Sequence, residues 1–230
     1  MTADRFEWEE FRRRVAATAT AALAGAPGVA GVARMTAAVA RCAEEALQDH
    51  PLPAGEVAIA CRAGCGTCCA VHVAVLFPEA LAIASWLREH ASRELAAGLG
   101  ERIDRLAARL RWVDAEERRH LDVPCGFLDE RGSCGIYPVR PLTCRSISST
   151  DPESCRRAVN VTCLDDEEEQ VVMNLFQKFL YDETFRILAA ALEERGFDHR
   201  SWELTRGVQA CLARPGIADE FLRGERMPRD

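Results

Sequence analysis

The sequence predicts a mainly α-helical protein, in which a helical frame surrounds a cysteine-rich metal-binding centre with a small β-hairpin. Apolar residues recur every three or four positions in several segments, most regularly from Leu99 to Val113, as on the packing face of a helix. Eleven cysteines occur in 230 residues, and most of them lie in clusters spaced like metal ligands. Phe127-Leu128 and Ile136-Tyr137 flank a Glu-Arg-Gly turn, which predicts the hairpin.

The length suits one domain, residues 1–230. We expect N-terminal helices in 1–50, a cysteine-cluster region with a helical insertion in 51–164, and C-terminal helices in 165–230. Individual helices are predicted over 3–24, 33–49, 78–90, 99–113 with an extension through 119, 165–195, and one or two within 200–224. A short strand or extended segment is predicted over 71–77, and Gly98 with Gly100 is expected to mark a break.

Two of these helical segments carry more detailed expectations. The polar residues Glu116 to Arg119 are expected to be a solvated surface. Asp165 and Glu168 read as a capping box that begins the long C-terminal helix. The apolar side chains of that helix are expected to face inward: Val172, Phe176, Phe179, Leu188 and Leu192.

Composition and charge limit the class of protein. The net charge is −7, from 29 basic and 36 acidic residues, so no basic excess favours nucleic acid or an anionic membrane. The uncharged stretch 15–33 is broken by Gly25, Pro27 and Gly28, which argues against a membrane span. Acidic residues before it argue against an export signal. The odd number and clustering of the cysteines favour a reducing cytoplasm over a disulfide framework.

The chain is organised around the nine residues Cys61 to Cys69. Four thiols lie here with C-x3-C and C-x2-C spacings followed by an adjacent cysteine, and two glycines separate them. Glycine permits positive φ and adds no bulk, so such a loop can wrap tightly around an ion or cluster. Thiolate is a soft ligand that selects zinc, copper(I) or iron–sulfur clusters.

The adjacent Cys68 and Cys69 indicate a larger centre. Adjacent side chains diverge, so these two sulfurs are expected to reach two sites or two metals of one polynuclear centre. Eight thiols would suit two zinc ions or two iron–sulfur clusters. The candidate ligands are Cys61, Cys65, Cys68, Cys69, Cys125, Cys134, Cys144 and Cys155, with Cys163 as the competing eighth ligand. Cys42 and Cys211 lie among helical residues and are expected to be structural.

Two arginines flank Cys144 in the segment Arg140-Pro141-Leu-Thr-Cys144-Arg145. Proline fixes φ and would preorganise this cysteine. Arg140 and Arg145 could donate to sulfurs or balance the negative charge of a cluster, and surface salt bridges are the alternative.

These motifs resemble one family. Five motifs are similar to the YkgJ-type cysteine-cluster family, a zinc- or iron-chelating domain that also carries a flagellin lysine methylase-like label. They are Cys65-Gly-Thr-Cys68-Cys69, the apolar Val71 to Val75 segment with Glu79, Cys125-Gly-Phe-Leu, Cys134-Gly-Ile-Tyr137 and the Arg-Pro-x-x-Cys-Arg ending. The resemblance covers residues 61 to 160. It implies metal chelation more directly than any reaction. The long spacer between Cys69 and Cys125, and the additional Cys163, depart from the family pattern.

Three functions remain open from the sequence. The favoured one is a cysteine-cluster protein that binds iron–sulfur clusters, or zinc, through about eight thiolates. The second is a metal-dependent enzyme that modifies proteins or peptides, as the methylase-like label suggests, and no catalytic residue is assigned to it. Radical S-adenosylmethionine enzymes share the spacing of Cys61, Cys65 and Cys68, but the chain lacks the alternating strands and helices of their barrel. The third is a zinc-stabilised module that binds a protein partner.

Overall fold

The computed structural model describes residues 6–25, 28–51, 58–91, 93–121, 123–159, 170–214 and 216–228. Within these ranges the chain forms ten α-helices and one two-stranded antiparallel sheet, which confirms the mainly helical class. The helices are α1 (Trp8–Ala24), α2 (Val29–Asp49), α3 (Phe77–His90), α4 (Arg93–Arg109), α5 (Ala115–His120), α6 (Leu142–Ser146), α7 (Pro152–Val159), α8 (Leu175–Glu194), α9 (Leu204–Ala213) and α10 (Ile217–Leu222). The strands are β1 (Ala74–Leu76) and β2 (Ser201–Glu203), and 3₁₀ turns lie at Thr67–Ala70 and Tyr137–Val139.

The main core lies between α1, α2, α3, α8 and α9, which pack on one another. Val15, Met35, Phe77 and Leu188 are fully or almost fully buried there. Each such side chain contributes about 2 kcal/mol by leaving water. None of the helices in the described parts of the chain has the length and unbroken apolar character of a membrane-spanning segment.

Strand β1 leads directly into α3, as the predicted extended segment and the helix-starting Pro78 indicated. Its partner is β2, with Val75 opposite Trp202 and Leu76 opposite Ser201. Strand β2 was not predicted, because three residues are too short for a periodic signal and the pairing joins distant parts of the chain. The pairing anchors the C-terminal helices beside the cysteine-rich region.

The prediction of a break at Gly98 and Gly100 was wrong, because α4 runs through both. A Cβ atom at either position would meet nothing within 4 Å, so these glycines occupy open sites on the helix. The predicted extension through residue 119 was also wrong. Helix α4 ends at Arg109, and α5 starts anew because the Asp114 side chain accepts from the backbone N–H groups of Glu116 and Glu117 at 2.9 and 2.8 Å.

The long C-terminal helix starts later than predicted. Residues 170–174 are not helical, and α8 begins at Leu175, where the Asn174 side chain accepts from the Gln177 N–H at 3.1 Å. The proposed capping box at Asp165 and Glu168 lies outside the described residues. Leu188 and Leu192 face inward as predicted, whereas Val172 and Phe179 are 54% and 53% exposed.

The ends of the first two helices also differ by a few residues. Phe6 and Glu7, included in the predicted first helix, are not helical, and α1 begins at Trp8. Helix α2 begins at Val29, earlier than the predicted residue 33, directly after Gly28 with φ of 92°. Both helices end where expected.

Candidate metal centre

The loop from Cys61 to Ala70 is a turn followed by a 3₁₀ turn. The Cys65 N–H donates to the Arg62 carbonyl at 3.0 Å across a turn in which Gly64 has φ of 81°. The Cys69 N–H then donates to the Gly66 carbonyl at 3.0 Å. These local bonds hold the cysteines of the loop in a tight coil, as their spacing predicted.

A second turn, residues 128–134, packs on this loop through glycines. Gly132 has φ of 73°, and a Cβ atom there would lie 3.1 Å from the Gly64 carbonyl oxygen. A Cβ atom at Gly66 would lie 3.2 Å from the Leu128 side chain. The two turns therefore approach closely, and this contact carries Cys134 to the Cys61–Cys69 loop.

The predicted hairpin is reduced to one antiparallel bridge, between Leu128 and Cys134. Between them, the Asp129 carboxylate accepts from the N–H groups of Arg131 and Ser133 at 2.9 and 2.8 Å. A side chain thus uses the donors that a longer strand ladder would need. Tyr137, expected in a strand, starts a 3₁₀ turn instead.

Four cysteines form what we call the inner thiol group: Cys68, Cys125, Cys134 and Cys144. Cys125, Cys134 and Cys144 pack against the hydrophobic core. The Cys125 N–H donates to the Cys69 carbonyl at 2.6 Å, which ties this cysteine to the loop. Helix α6 supplies Cys144.

Burial and mutual repulsion make the inner thiols hard to ionise. Burial, followed by the neighbouring charge of Cys134, raises the pKa of Cys125 to about 12. The pKa of Cys144 is raised well above its ordinary value by burial first, then by the charges of Cys125, Cys68 and Cys134. Arg140 lowers the pKa values of Cys68, Cys134 and Cys144, although not enough to reverse the shift. Thiolates here require a further positive charge, which a bound metal supplies.

Three other cysteines form the outer thiol group: Cys61, Cys65 and Cys155. Cys61 is exposed, and the Ser149 N–H donates to its sulfur at 3.3 Å. Burial raises the pKa of the Cys61 thiol, and the charges of Cys65, Cys68 and Cys155 act in the same direction. Cys155 lies in α7, which packs on the 3₁₀ turn Thr67–Ala70.

The two groups meet at the adjacent cysteines. The Cys69 side chain raises the pKa of Cys68, and the charge of Cys68 in turn raises the pKa values of both Cys61 and Cys144. The expectation that the pair serves two sites stays a prediction. Cys163 lies outside the described residues. Cys42 and Cys211, expected to be structural, are buried in the core at 6% and 1% exposure.

The two arginines of the Arg-Pro-x-x-Cys-Arg segment occupy different surroundings. Arg140 lies 4.1 Å over the Tyr137 ring, near three inner thiols, and its Nε is buried without a hydrogen-bond partner in the described structure. Arg145 donates to the carbonyl oxygens of Arg140 and Pro138 and pairs with Glu44. The positive charge of Arg140 therefore acts on the inner thiols. Arg145 instead stabilises the local backbone of residues 138–140 and connects it to α2.

Two charged residues near the site were missed. Arg118, expected on a solvated surface, is 3% exposed, and its charge acts on Cys125. Glu79 is 4% exposed in α3 and accepts from the segment that carries Cys144. Glu79 belonged to a motif of the family resemblance, but no role was assigned to it, and Arg118 gave no signal among its charged neighbours.

The donor chemistry fits zinc or iron, because both bind thiolates. In the described parts of the chain, no three Cys, His, Asp or Glu side chains converge as metal ligands do. The thiols lie near one another without the convergence of a formed metal site. Binding of a metal would have to bring their sulfur atoms closer together. The unpartnered Arg140 Nε beside them is consistent with a negatively charged group at this position.

The comparisons with known proteins agree with this chemistry. Residues 60–170 match a family model, CxxCxxCC, described as "Putative zinc- or iron-chelating domain". No curated protein and no solved structure matches the chain. The matched segment contains both thiol groups and Cys163. Residues 60–170 are therefore similar to the zinc- or iron-chelating domain that the CxxCxxCC model describes, which confirms the resemblance seen in the cysteine motifs.

Proposed function

We propose that the protein holds two linked four-thiolate iron–sulfur clusters. The inner thiol group would ligate one cluster, and the outer thiol group with Cys69 would ligate the other. The observation that carries the proposal is packing: α7, which holds Cys155, lies against the 3₁₀ turn of Cys68 and Cys69, and the Cys125 N–H donates to the Cys69 carbonyl. The charge of Cys68 also raises the pKa values of both Cys61 and Cys144. Iron–sulfur clusters supply one-electron transfer when bound.

Positive side chains near the inner thiols support the binding of a negatively charged cluster. Cluster potential and stability respond to net charge and to donors near the sulfurs, and Arg140 lies near three inner thiols. Arg118 adds a second buried positive charge beside Cys125. These two guanidinium groups would offset the negative charge of the inner cluster.

The proposal is tested by metal and sulfide analysis of full-length protein purified without oxygen. We expect a brown protein with iron and acid-labile sulfide in similar amounts, and Cys68→Ser and Cys134→Ser should each lower both. The matched controls Cys42→Ala and Cys211→Ala change cysteines outside the two groups and should leave the metal content unchanged. Unchanged iron in both serine variants would contradict the ligand assignment.

A zinc-stabilised module that binds a protein partner is the second candidate. It is favoured by three exposed apolar side chains at and before the start of α8, namely Val172, Leu175 and Phe179, each more than half exposed. Colourless protein with stoichiometric zinc and no sulfide would support this candidate and contradict the first.

We place the protein in a reducing cytoplasm under either candidate. All ten described cysteines are free thiols. Thiolates available for metal persist where glutathione and thioredoxin keep them reduced. Subcellular fractionation, with detection by an antibody to the protein, would test this placement.

A further inference from the structure

Glu79 is a buried carboxylate in an otherwise apolar part of the core. Its residue is 4% exposed, and its neighbours along α3, Ala80 and Ile83, are fully buried. Burial is the main cause that raises the pKa of this carboxyl to about 7. A buried carboxylate is costly unless its oxygens are hydrogen-bonded, so its partners indicate what it does.

Each oxygen of Glu79 accepts from a different part of the chain. Oε2 accepts from the Leu76 N–H at 2.9 Å, which caps the start of α3 locally. Oε1 accepts from the Leu142 N–H at 2.8 Å, which belongs to the first residue of α6. One carboxylate thus joins β1, α3 and the beginning of α6.

The segment held by Glu79 contains an inner thiol. Pro141 precedes Leu142 and fixes the entry to α6, and Cys144 follows two residues later. Thr143, between Leu142 and Cys144, makes a second contact with the same corner: its hydroxyl donates to the Ala74 carbonyl at 2.6 Å. Two polar contacts therefore fix the backbone on the N-terminal side of Cys144 against the β1–α3 corner.

We propose that Glu79 is a positioning residue for the inner metal centre: it holds the start of α6 so that Cys144 can ligate with Cys68, Cys125 and Cys134. This rests on the proposed function, since it needs a metal at the inner thiol group. Gln at this position keeps the shape but presents an NH₂ group to one of the two backbone donors. It therefore breaks one of the two contacts.

The test uses Co²⁺ as the probe in the full chain carrying Cys61→Ser, which removes one outer thiol. The absorbance bands of Co²⁺ report the number and geometry of its thiolate ligands. We expect Glu79→Gln to weaken Co²⁺ binding about tenfold and to shift these bands, as loss of supporting groups around a metal site does.

The matched control is Asp198→Asn. Asp198 is also a buried carboxylate, and it accepts from the Arg200 and Met227 N–H groups at 3.1 and 2.8 Å, away from the thiol groups. It should lower the unfolding temperature without changing the Co²⁺ affinity or spectrum. An equal loss of affinity in both variants would overturn the inference, because it would reflect general stability.

Other outcomes separate the two proposals. If the Cys61→Ser protein and the wild type bind no Co²⁺, the proposed function fails and this inference with it. If the protein binds Co²⁺ and Glu79→Gln matches it in affinity and spectrum, the inference alone is overturned. Should Glu79→Gln not fold, Thr143→Val decides: a loss of about threefold in affinity supports the inference, and an unchanged affinity overturns it.

Discussion

The inner and outer thiol groups are built from the same residue type but stand in different surroundings. Cys125, Cys134 and Cys144 of the inner group pack against the hydrophobic core, and the charge of Arg140 acts to lower the pKa values of Cys134 and Cys144. The outer group has Cys61 at the exposed surface and Cys155 on a short helix. A metal in the inner group would be part of the packed structure, whereas a metal in the outer group could reach solvent or an acceptor.

With metal bound as proposed, this difference predicts a stable inner site and an outer site whose metal exchanges more readily. Metal-binding energy becomes folding energy where the ligands come from elements that must pack together. The proposed inner ligands come from the Cys61–Cys69 loop, the segment 125–134 and α6. The outer ligands depend mainly on one loop and one adjoining helix, so losing their metal should leave the core intact.

The largest expected effect is at the inner group. Cys125→Ser should remove the inner metal and lower the unfolding free energy of the loaded protein by an amount on the order of 5 kcal/mol, since a structural thiolate site contributes more than this in total. Thermal unfolding with and without a chelator measures it. Equal unfolding temperatures for wild type and variant would show that the inner centre does not stabilise the fold.

The next effect concerns pH and the carboxylate beneath the inner group. The Glu79 pKa is about 7 in the folded protein against an ordinary value of 4.5. The folded state therefore holds this proton more tightly than the unfolded state, and stability should fall by about 3 kcal/mol as the pH rises from about 4.5 to about 7. Glu79→Gln should lack this component of the slope.

Urea titrations of reduced, chelator-treated protein across that pH range would measure the difference. Asp198→Asn is the control, because Arg200 and backbone N–H groups hold the pKa of Asp198 at about 2, below the window. Identical slopes for wild type and Glu79→Gln would contradict the prediction.

A smaller effect is expected at the contact between the two turns. Gly132→Ala places a methyl group near the Gly64 carbonyl at a positive φ, and should cost about 1–2 kcal/mol. The change should loosen both groups, since this contact carries Cys134 to the loop. Gly98→Ala is the matched control: it lies in α4 with open space around it and should stabilise by up to about 1 kcal/mol.

The smallest effect on stability should come from the outer group. Cys61→Ser and Cys155→Ser should change the unfolding free energy by less than about 1 kcal/mol, as exposed substitutions do. In the wild type, we expect metal to leave the outer group quickly and the inner group slowly when a chelator is added. Both variants should lose the fast phase and keep the slow phase. If Cys163→Ser removes the fast phase and Cys155→Ser does not, Cys163 is the outer ligand.

The sequence by itself determined the chemistry and most of the helices. Cysteine spacing identified the chelating segment before any fold was known, because a metal site demands several soft ligands within reach of one point. Apolar periodicity found the packed helices, since one helical face must be buried. The signals failed where they were short or ambiguous: β2 has three residues, α6 has five, and the glycines of α4 resemble breakers.

Only the tertiary structure decided which cysteines become neighbours and what supports them. Cys155 joins the loop because α7 packs on the 3₁₀ turn, and Cys134 joins it through a glycine contact. Glu79 matters because its carboxylate meets an N–H group 63 positions along the chain. Such pairings arise from long-range packing, so local sequence patterns do not predict them.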